Sequence, residues 1–364
     1  MAAAARARFH RLPVTAVDRL TDDSVALTFT VPPDLRDAYR HAPGQHLALR
    51  RTVDGTEVRR TYSICSAAPA DGAAPHTLRV GVRLVDGGAF STYAHKEIAV
   101  GDELEVMTPA GRFTLDITPD AAPGHYAAVV GGSGITPVLS IATTVLQQQP
   151  RARFCLIRSD RTTASTMFLE EVADLKDRYP DRFQLVTVLS REEQQAGLAS
   201  GRLDQERLTA LLPALLPVER MAGWFLCGPY GLVQSAERAL RGLGVRRERI
   251  HEEIFHVDEG PAPDRTAAAS APAHSTVTAQ LDGRSGTWPV QGAESLLETV
   301  LRNRTDAPYA CKGGVCGTCR AFLVSGSVRM DRNFALEPEE TEAGYVLACQ
   351  SHPTTEKVEL DFDR

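Results

Sequence analysis

Four cysteines restrict this chain more than any other feature of its sequence. Cys311, Cys316 and Cys319 fall within nine residues, and Cys349 follows far downstream. The pattern Cys-x4-Cys-x2-Cys with a distant fourth cysteine is the spacing of a 2Fe–2S ligand loop. Three thiolates must wrap one edge of a small cluster from a single loop while the fourth arrives from elsewhere in the fold. Such a loop needs backbone that can take positive φ and turn N–H groups toward sulfur, which Gly313, Gly314 and Gly317 supply. A structural zinc site is the alternative, but it usually draws its ligands as two close pairs, and the split here is three plus one. His352 lies just past Cys349; four thiolates already complete the set, so it reads as a surface histidine.

The other cysteines carry less. Seven is an odd count, and Cys65, Cys155 and Cys227 are widely separated, which argues against a disulfide framework and for reduced thiols. Cys155, within Phe154-Cys155-Leu156-Ile157, and Cys65 read as core residues. With 364 residues, 43% hydrophobic and 24% charged, the chain has the composition of an ordinary globular protein of two to three domains. A net charge of −6 disfavours nucleic acid as a partner. No apolar run approaches the ~20 residues of a membrane span. Met1–Leu12 mixes Ala with Arg and reads as a disordered lead-in rather than a signal peptide. The expected location is therefore the cytoplasm.

Hydrophobic patterning divides the chain. Ser24–Val31, Gln45–Arg50, Arg59–Ile64 and Leu78–Leu84 read as short strands separated by Pro, Gly and Asp turns, suggesting a closed antiparallel barrel. From Tyr126 strands alternate with helices: strand Tyr126–Val130, helix Pro137–Gln148, strand Phe154–Ile157, helix Met167–Arg178, strands Gln184–Leu189 and Gly223–Cys227. That alternation implies a parallel α/β sheet. The segment rich in Ala, Pro, Asp and Ser between His256 and Thr276 reads as a linker. Beyond it come two short strands around Asp282-Gly283, a helix near Glu294–Arg302 and the cysteine loop. The expected domains are 9–121, 122–256 and 276–364, with a linker at 257–275.

Gly131-Gly132-Ser133-Gly134-Ile135-Thr136-Pro137 follows a buried strand and opens a helix. Backbone N–H groups at such a helix start suit phosphate. The run is neither a P-loop nor a full G-x-G-x-x-G, and alone it is equally compatible with a plain strand–helix turn. Cys227-Gly228-Pro229 ends a later strand of the same sheet, where ligands of open α/β domains sit. Arg158-Ser159-Asp160-Arg161 ends another. A carboxylate there favours a plain ribose and arginine a 2′-phosphate; Arg158, Ser159 and Arg161 incline the reading to NADPH over NADH, with a solvated charged turn as the alternative. In the barrel, Arg60-Thr61-Tyr62-Ser63 offers a cation for a pyrophosphate, a ring and a hydroxyl, though alone it would pass for an edge strand. Gly87-Gly88-Ala89-Phe90-Ser91 leads into a helix and forms a second candidate pyrophosphate cradle.

Arg60–Ser63, Gly88–Ser91, Gly132–Pro137 and Cys227–Pro229, in this order, resemble the ferredoxin–NADP reductase superfamily. The C-terminal cysteine domain narrows the resemblance to oxygenase reductases. Tyr309–Arg320, Met330–Leu336 and Gly344–Pro353 look most like the reductase subunits of phenylacetyl-CoA epoxidases. The resemblance implies a six-stranded antiparallel FAD barrel, a parallel α/β nicotinamide-nucleotide domain and a β-grasp 2Fe–2S ferredoxin domain. It implies that Arg60 holds the FAD pyrophosphate, that Tyr62 packs on the isoalloxazine beside Thr61, and that Ser63 reaches its N5 edge. Val82 and Arg83 match a second flavin-contacting strand, and Gly88, Ala89, Phe90 and Ser91 the pyrophosphate turn. Gly132, Ser133, Gly134, Ile135, Thr136 and Pro137 match the nicotinamide-nucleotide loop. Cys227, with Gly228 and Pro229, matches the cysteine beside the nicotinamide. Glu253-Ile254-Phe255 resembles the acidic–aromatic segment closing the nucleotide domain, departing from the commoner Glu-Arg-Phe. There Phe255 would shield the flavin and Glu253 would help position the nicotinamide.

The implied function is to pass electrons from NADPH through FAD and the 2Fe–2S cluster to an oxygenase, with the di-iron phenylacetyl-CoA epoxidase the expected partner. Ser63, Cys227 and Glu253 are then the residues nearest the chemistry. The alternatives are service to a steroid-ring or alkane hydroxylase, or a redox sensor or carrier that oxidises no nicotinamide. The linker would let the ferredoxin domain alternate between flavin and acceptor. The chain from His274 carries 13 acidic and 9 basic residues. Glu337, Glu339, Glu340 and Glu342 form either a docking face for a basic partner or a merely solvated helix start.

Overall fold

The computed structural model describes residues 8–53, 55–117, 124–192, 201–256 and 275–364. The chain separates into two compact units, Met1–Glu259 and Gly260–Arg364. Residues 257–274 of the expected linker lie outside the described residues, as do residues 1–7 of the lead-in.

The first sheet comprises β1 (Phe9–Thr21), β2 (Ser24–Thr30), β3 (His46–Val53), β4 (Thr56–Ser63), β5 (Thr77–Arg83) and β6 (Glu103–Met107). Their order is β4-β3-β6-β1-β2-β5, and a bridge between Ile64 and Val80 joins the outer strands to close the barrel. Helix α1 (Ala89–Lys96) lies between β5 and β6. Alternate side chains such as Leu27, Phe29, Leu47, Leu49, Val80 and Val106 are fully buried, as the two-residue period of strands requires. The sequence reading is corrected at the N-terminus. Residues from Phe9 are not a lead-in but the first half of β1, pairing with β6 over Phe9–Pro13 and with β2 from Val14 onward. A register shift between Val14 and Ala16 bends the strand so that one segment serves two neighbours.

The second sheet is parallel, in the order β11-β10-β7-β8-β9, from β7 (His125–Gly131), β8 (Arg153–Asp160), β9 (Phe183–Leu189), β10 (Gly223–Pro229) and β11 (Ile250–His256). Helices α2 (Ile135–Gln148), α3 (Leu169–Arg178), α4 (Gln205–Leu215) and α5 (Tyr230–Gly242) connect the strands. The central strands are continuous apolar runs, as expected where helices cover both faces. Barrel and parallel sheet share one core: Ala26 and Cys65 of the barrel and Phe113 pack in the same buried cluster as Val138, Ile141, Phe168 and Phe225. Polar stitches cross the same seam. Ser140 Oγ donates to the Ser66 carbonyl at 2.7 Å, and Gln148 Nε2 to the Ala68 carbonyl at 2.8 Å.

The second unit has a mixed five-stranded sheet, β13-β12-β18-β14-β16. Its strands are β12 (Thr276–Leu281), β13 (Arg284–Pro289), β14 (Arg320–Ser325), β16 (Tyr345–Leu347) and β18 (Lys357–Asp361). β15 (Val328–Met330) and β17 (Ser351–Pro353) form a separate pair. The first and last strands, β12 and β18, run parallel in the middle of the sheet. α6 (Leu296–Asn303) buries Leu296, Leu297 and Val300 in this unit's core. Ser295 and Glu298 begin α6 with a reciprocal capping box. α7 (Pro338–Glu342) is a single short turn. No helix among the described residues is long and apolar enough to cross a membrane.

Candidate functional site

The Arg60–Ser63 run ends β4, next to the Ile64–Val80 bridge. Arg60 is exposed, with Nη1 donating to the Arg59 carbonyl at 2.7 Å. Tyr62 packs its ring 5.6 Å from Phe90, at an angle of 38°, so the β4 run and the α1 start, 28 residues apart in sequence, form one surface. Phe90 is itself buried at 1% exposure and serves as the core support of that surface. Ser91 Oγ accepts from Val85 N–H at 3.1 Å and donates to the Gly88 carbonyl at 3.1 Å. It closes the turn, with the backbone of Gly88 and Ala89 at the start of α1. Val82 also points inward, at 1% exposure, so what β5 can offer a flavin there is backbone. Arg83 is held by Asp23 at 3.0 and 3.2 Å and donates to the Ser165 carbonyl at 3.0 Å.

In the parallel sheet, β7 passes through a 3-10 turn, Gly132–Gly134, into α2. Gly132 has φ of +55°, a conformation that penalises any side chain. A Cβ on Gly134 would lie 2.2 Å from the Cys227 carbonyl oxygen, so only glycine lets this turn close against the end of β10. Thr136 Oγ1 returns to the Ser133 carbonyl at 3.0 Å. Pro137 stands in the first turn of α2, where its missing N–H costs no intrahelical bond. The helix thus begins two residues earlier than the sequence suggested.

Three of the residues singled out in the sequence meet at the seam between barrel and sheet. Cys227 and Glu253 are partners on adjacent parallel strands. Ser63 Oγ donates to Glu253 Oε2 at 3.5 Å. A fourth residue, unforeseen, joins them: His46 of β3, paired with Ser63 across the β3–β4 ladder, places Nδ1 4.0 Å from Glu253 Oε1. Burial pushes the Glu253 carboxyl up to about 8, against the opposing hydrogen bond from Ser63. Burial lowers His46 to about 4. Burial, reinforced by Glu253, holds the Cys227 thiol well above its ordinary value, so Cys227 remains a thiol rather than a nucleophilic thiolate. Phe255 is half-buried against the shared core.

Arg158 is elsewhere. It is 1% exposed, with Nε donating to Asp160 Oδ2 at 2.8 Å and Nη2 to the Met167 carbonyl at 2.9 Å. Its guanidinium therefore belongs to a buried ion pair, a correction to its expected place at a 2′-phosphate. Ser159 is half-buried and Arg161 exposed at the same strand end. The signal was present in the sequence: residues two apart on a strand share a face.

In the second unit, Cys311 pairs side chain to side chain with Cys316, and Cys319 with Cys349. Cys316 with Cys319 and Cys349 with Cys311 are near enough to interact electrostatically. The four cysteine side chains thus lie together. Among the described residues no three His, Cys, Asp or Glu side chains converge on a point suited to one ion. Gly313 N–H donates to Cys311 Sγ at 3.3 Å. Gly314 and Gly317 have positive φ as expected, but the third such residue is Lys312, not Gly313. Gln350 Nε2 ties the loop down by donating to the Lys312 carbonyl at 2.9 Å. His352 pairs with Asp331 at 3.2 Å. Of the acidic run, Glu340 accepts from Glu337 N–H at 3.1 Å and bridges to Arg320 at 3.2 Å, so it is partly engaged in building α7.

Comparison with known proteins gives the same division. Residues 11–115 match the oxidoreductase FAD-binding domain, 129–238 the oxidoreductase NAD-binding domain, and 279–354 the 2Fe-2S iron-sulfur cluster binding domain. One component of the 1,2-phenylacetyl-CoA epoxidase of Escherichia coli (strain K12) is 43% identical over 98% of both chains. The chain belongs to the reductase components of multicomponent oxygenases. The ferredoxin reductase component of 3-ketosteroid-9-alpha-monooxygenase from Rhodococcus rhodochrous is 34% identical over 96% of both chains. In fold, phthalate dioxygenase reductase matches with a TM-score of 0.61 at 22% identity, over 97% of this chain and 98% of that one. As a member of this family the protein is an oxidoreductase using FAD, a pyridine nucleotide and a 2Fe–2S cluster.

Proposed function

We propose that this reductase draws electrons from NADPH and delivers them to a di-iron phenylacetyl-CoA epoxidase. The observation that carries the choice of partner is the 43% identity over 98% of the chain to the Escherichia coli epoxidase component, against 34% to the steroid monooxygenase component. A bound flavin supplies the exchange between hydride chemistry and single-electron transfer, and a bound cluster the single-electron outlet.

The chain's own residues hold these groups. Arg60 and the backbone at Gly88 and Ala89 take the FAD pyrophosphate, Tyr62 lies along the ring system, and Ser63 Oγ faces its reactive edge. Gly132–Pro137 and Gly228 receive the nicotinamide nucleotide, with Cys227 and Glu253 packed beneath it and Phe255 covering the flavin. Cys311, Cys316, Cys319 and Cys349 ligate the irons. The preference for NADPH rests on Ser159 and exposed Arg161, and on Asp160 being buried against Arg158 rather than presented to a ribose. The cytoplasm, where pyridine nucleotides are reduced and thiols stay free, is the place for this activity.

Turnover reconstituted with purified oxygenases tests the partner: epoxidation of phenylacetyl-CoA should be sustained and steroid hydroxylation should not. Failure with the epoxidase alone removes that partner. An Arg161→Ala variant should raise KM for NADPH about tenfold and leave NADH unchanged; equal effects on both would remove the 2′-phosphate contact.

A further inference from the structure

The Ser63–Glu253 contact does not use the whole carboxyl. Ser63 takes Oε2, and the other oxygen, Oε1, faces His46 Nδ1 at 4.0 Å. The groups facing Glu253 are His46 from β3, Ser63 from β4 and Cys227 from β10. On its own strand, Glu252 pairs with Arg247 at 3.5 Å and His251 stacks on Phe225 at 4.9 Å.

The imidazole is fixed rather than merely nearby. Its side chain is 4% exposed, and its backbone exchanges two hydrogen bonds with Ala110, at 2.8 and 3.0 Å. Gly111 closes the Nδ1 side: with φ of +105°, a Cβ there would lie 2.7 Å from Nδ1. Nε2 is buried and has no hydrogen-bond partner among the described residues. At 4.0 Å the Nδ1–Oε1 contact is longer than a hydrogen bond; a proton on Nδ1 turns the dipole of the neutral ring toward Glu253, and a proton on Nε2 turns it away.

We propose that His46 is a positioning residue that carries its ring proton on Nδ1, where the imidazole dipole faces Glu253 Oε1 and stabilises the ionised carboxylate. The inference rests on the reading that Ser63 and Glu253 border the flavin and nicotinamide. Burial favours the neutral carboxyl, the Ser63 hydrogen bond opposes it, and the imidazole dipole adds to that opposition, so His46 helps set the pH at which Glu253 loses its proton. This gives a role to a polar residue only 3% exposed at the start of β3, next to core Leu47.

Infrared difference titration of the FAD-loaded protein tests this, with Glu253→Gln identifying the Glu253 carboxyl band. In His46→Phe the midpoint should move to higher pH by about one unit, a tenfold change in the proton equilibrium. In His46→Asn, whose amide N–H replaces Nδ1–H, it should stay close to the parent. The pH profile of single-turnover flavin reduction should move in parallel. An unmoved midpoint in His46→Phe, or one moved to lower pH, overturns the proposal. If His46→Phe fails to fold, imidazole 15N shifts of the parent decide: an Nδ1–H tautomer supports the proposal and an Nε2–H tautomer overturns it. A parent that binds FAD but is not reduced by nicotinamide instead removes the underlying reading of the site, whatever the midpoints show.

Discussion

Ser63 and Glu253, 190 residues apart, share a hydrogen bond of 3.5 Å across the seam between the flavin barrel and the nucleotide sheet. One lies at the end of β4 and the other on β11, so the contact exists only when both sheets are folded and packed. The two sheets thus hold each other at the contact proposed above to border both cofactors.

The buried carboxyl makes stability depend on pH. Its folded value of about 8 is raised from an ordinary 4.5. The folded chain therefore keeps a proton that the unfolded chain releases. Its contribution is complete below about 4.5 and is lost as pH rises through about 8. Glu253→Gln should flatten that part of the stability curve in denaturant titrations and leave the protein more stable than the parent at alkaline pH. An unchanged slope would show that Glu253 is ionised throughout.

The buried pair at the end of β8 should behave differently. Arg158 and Asp160 side chains are 1% and 2% exposed. Arg158→Leu leaves the Asp160 carboxylate buried without its cation and should cost about 3–5 kcal/mol in equilibrium unfolding. The double change Arg158→Leu with Asp160→Leu should recover much of that loss. Full stability in the single variant would show that Asp160 finds water or another donor.

Gly134 should be intolerant for a reason confined to the nucleotide loop. Gly134→Ala drives a Cβ into the Cys227 carbonyl, 2.2 Å away, and must lift the loop from the end of β10. The expected result is a KM for the pyridine nucleotide raised about tenfold or more with FAD content retained. Ordinary kinetics in this variant would mean that the loop moves at little cost.

How far these features could be read from sequence depends on how local they are. The 2Fe–2S domain was legible because three cysteines of its spacing lie in one loop, and the Arg60–Ser63 and Gly132–Pro137 runs stood out because each is contiguous. β1 was partly missed: its first half has Arg11 and Pro13, and its strand character comes from pairing with β6, ninety residues on. His46 gave no signal at all, since its role depends on the register that sets it opposite Ser63. Arg158 was misplaced because a charged residue near a strand end looks exposed until its two-residue partner Asp160 is considered.

Electrons passing from pyridine nucleotide through FAD to the four-cysteine cluster would be seen in an anaerobic titration with NADPH followed by visible absorption and low-temperature EPR. The fully loaded protein, with two irons per chain on its 2Fe–2S domain, should lose its flavin absorption and develop the signal of a reduced cluster. Cys316→Ser should keep the flavin response and lose the cluster signal. A parent protein assembled with iron and FAD whose cluster stays oxidised while its flavin is reduced would contradict the account.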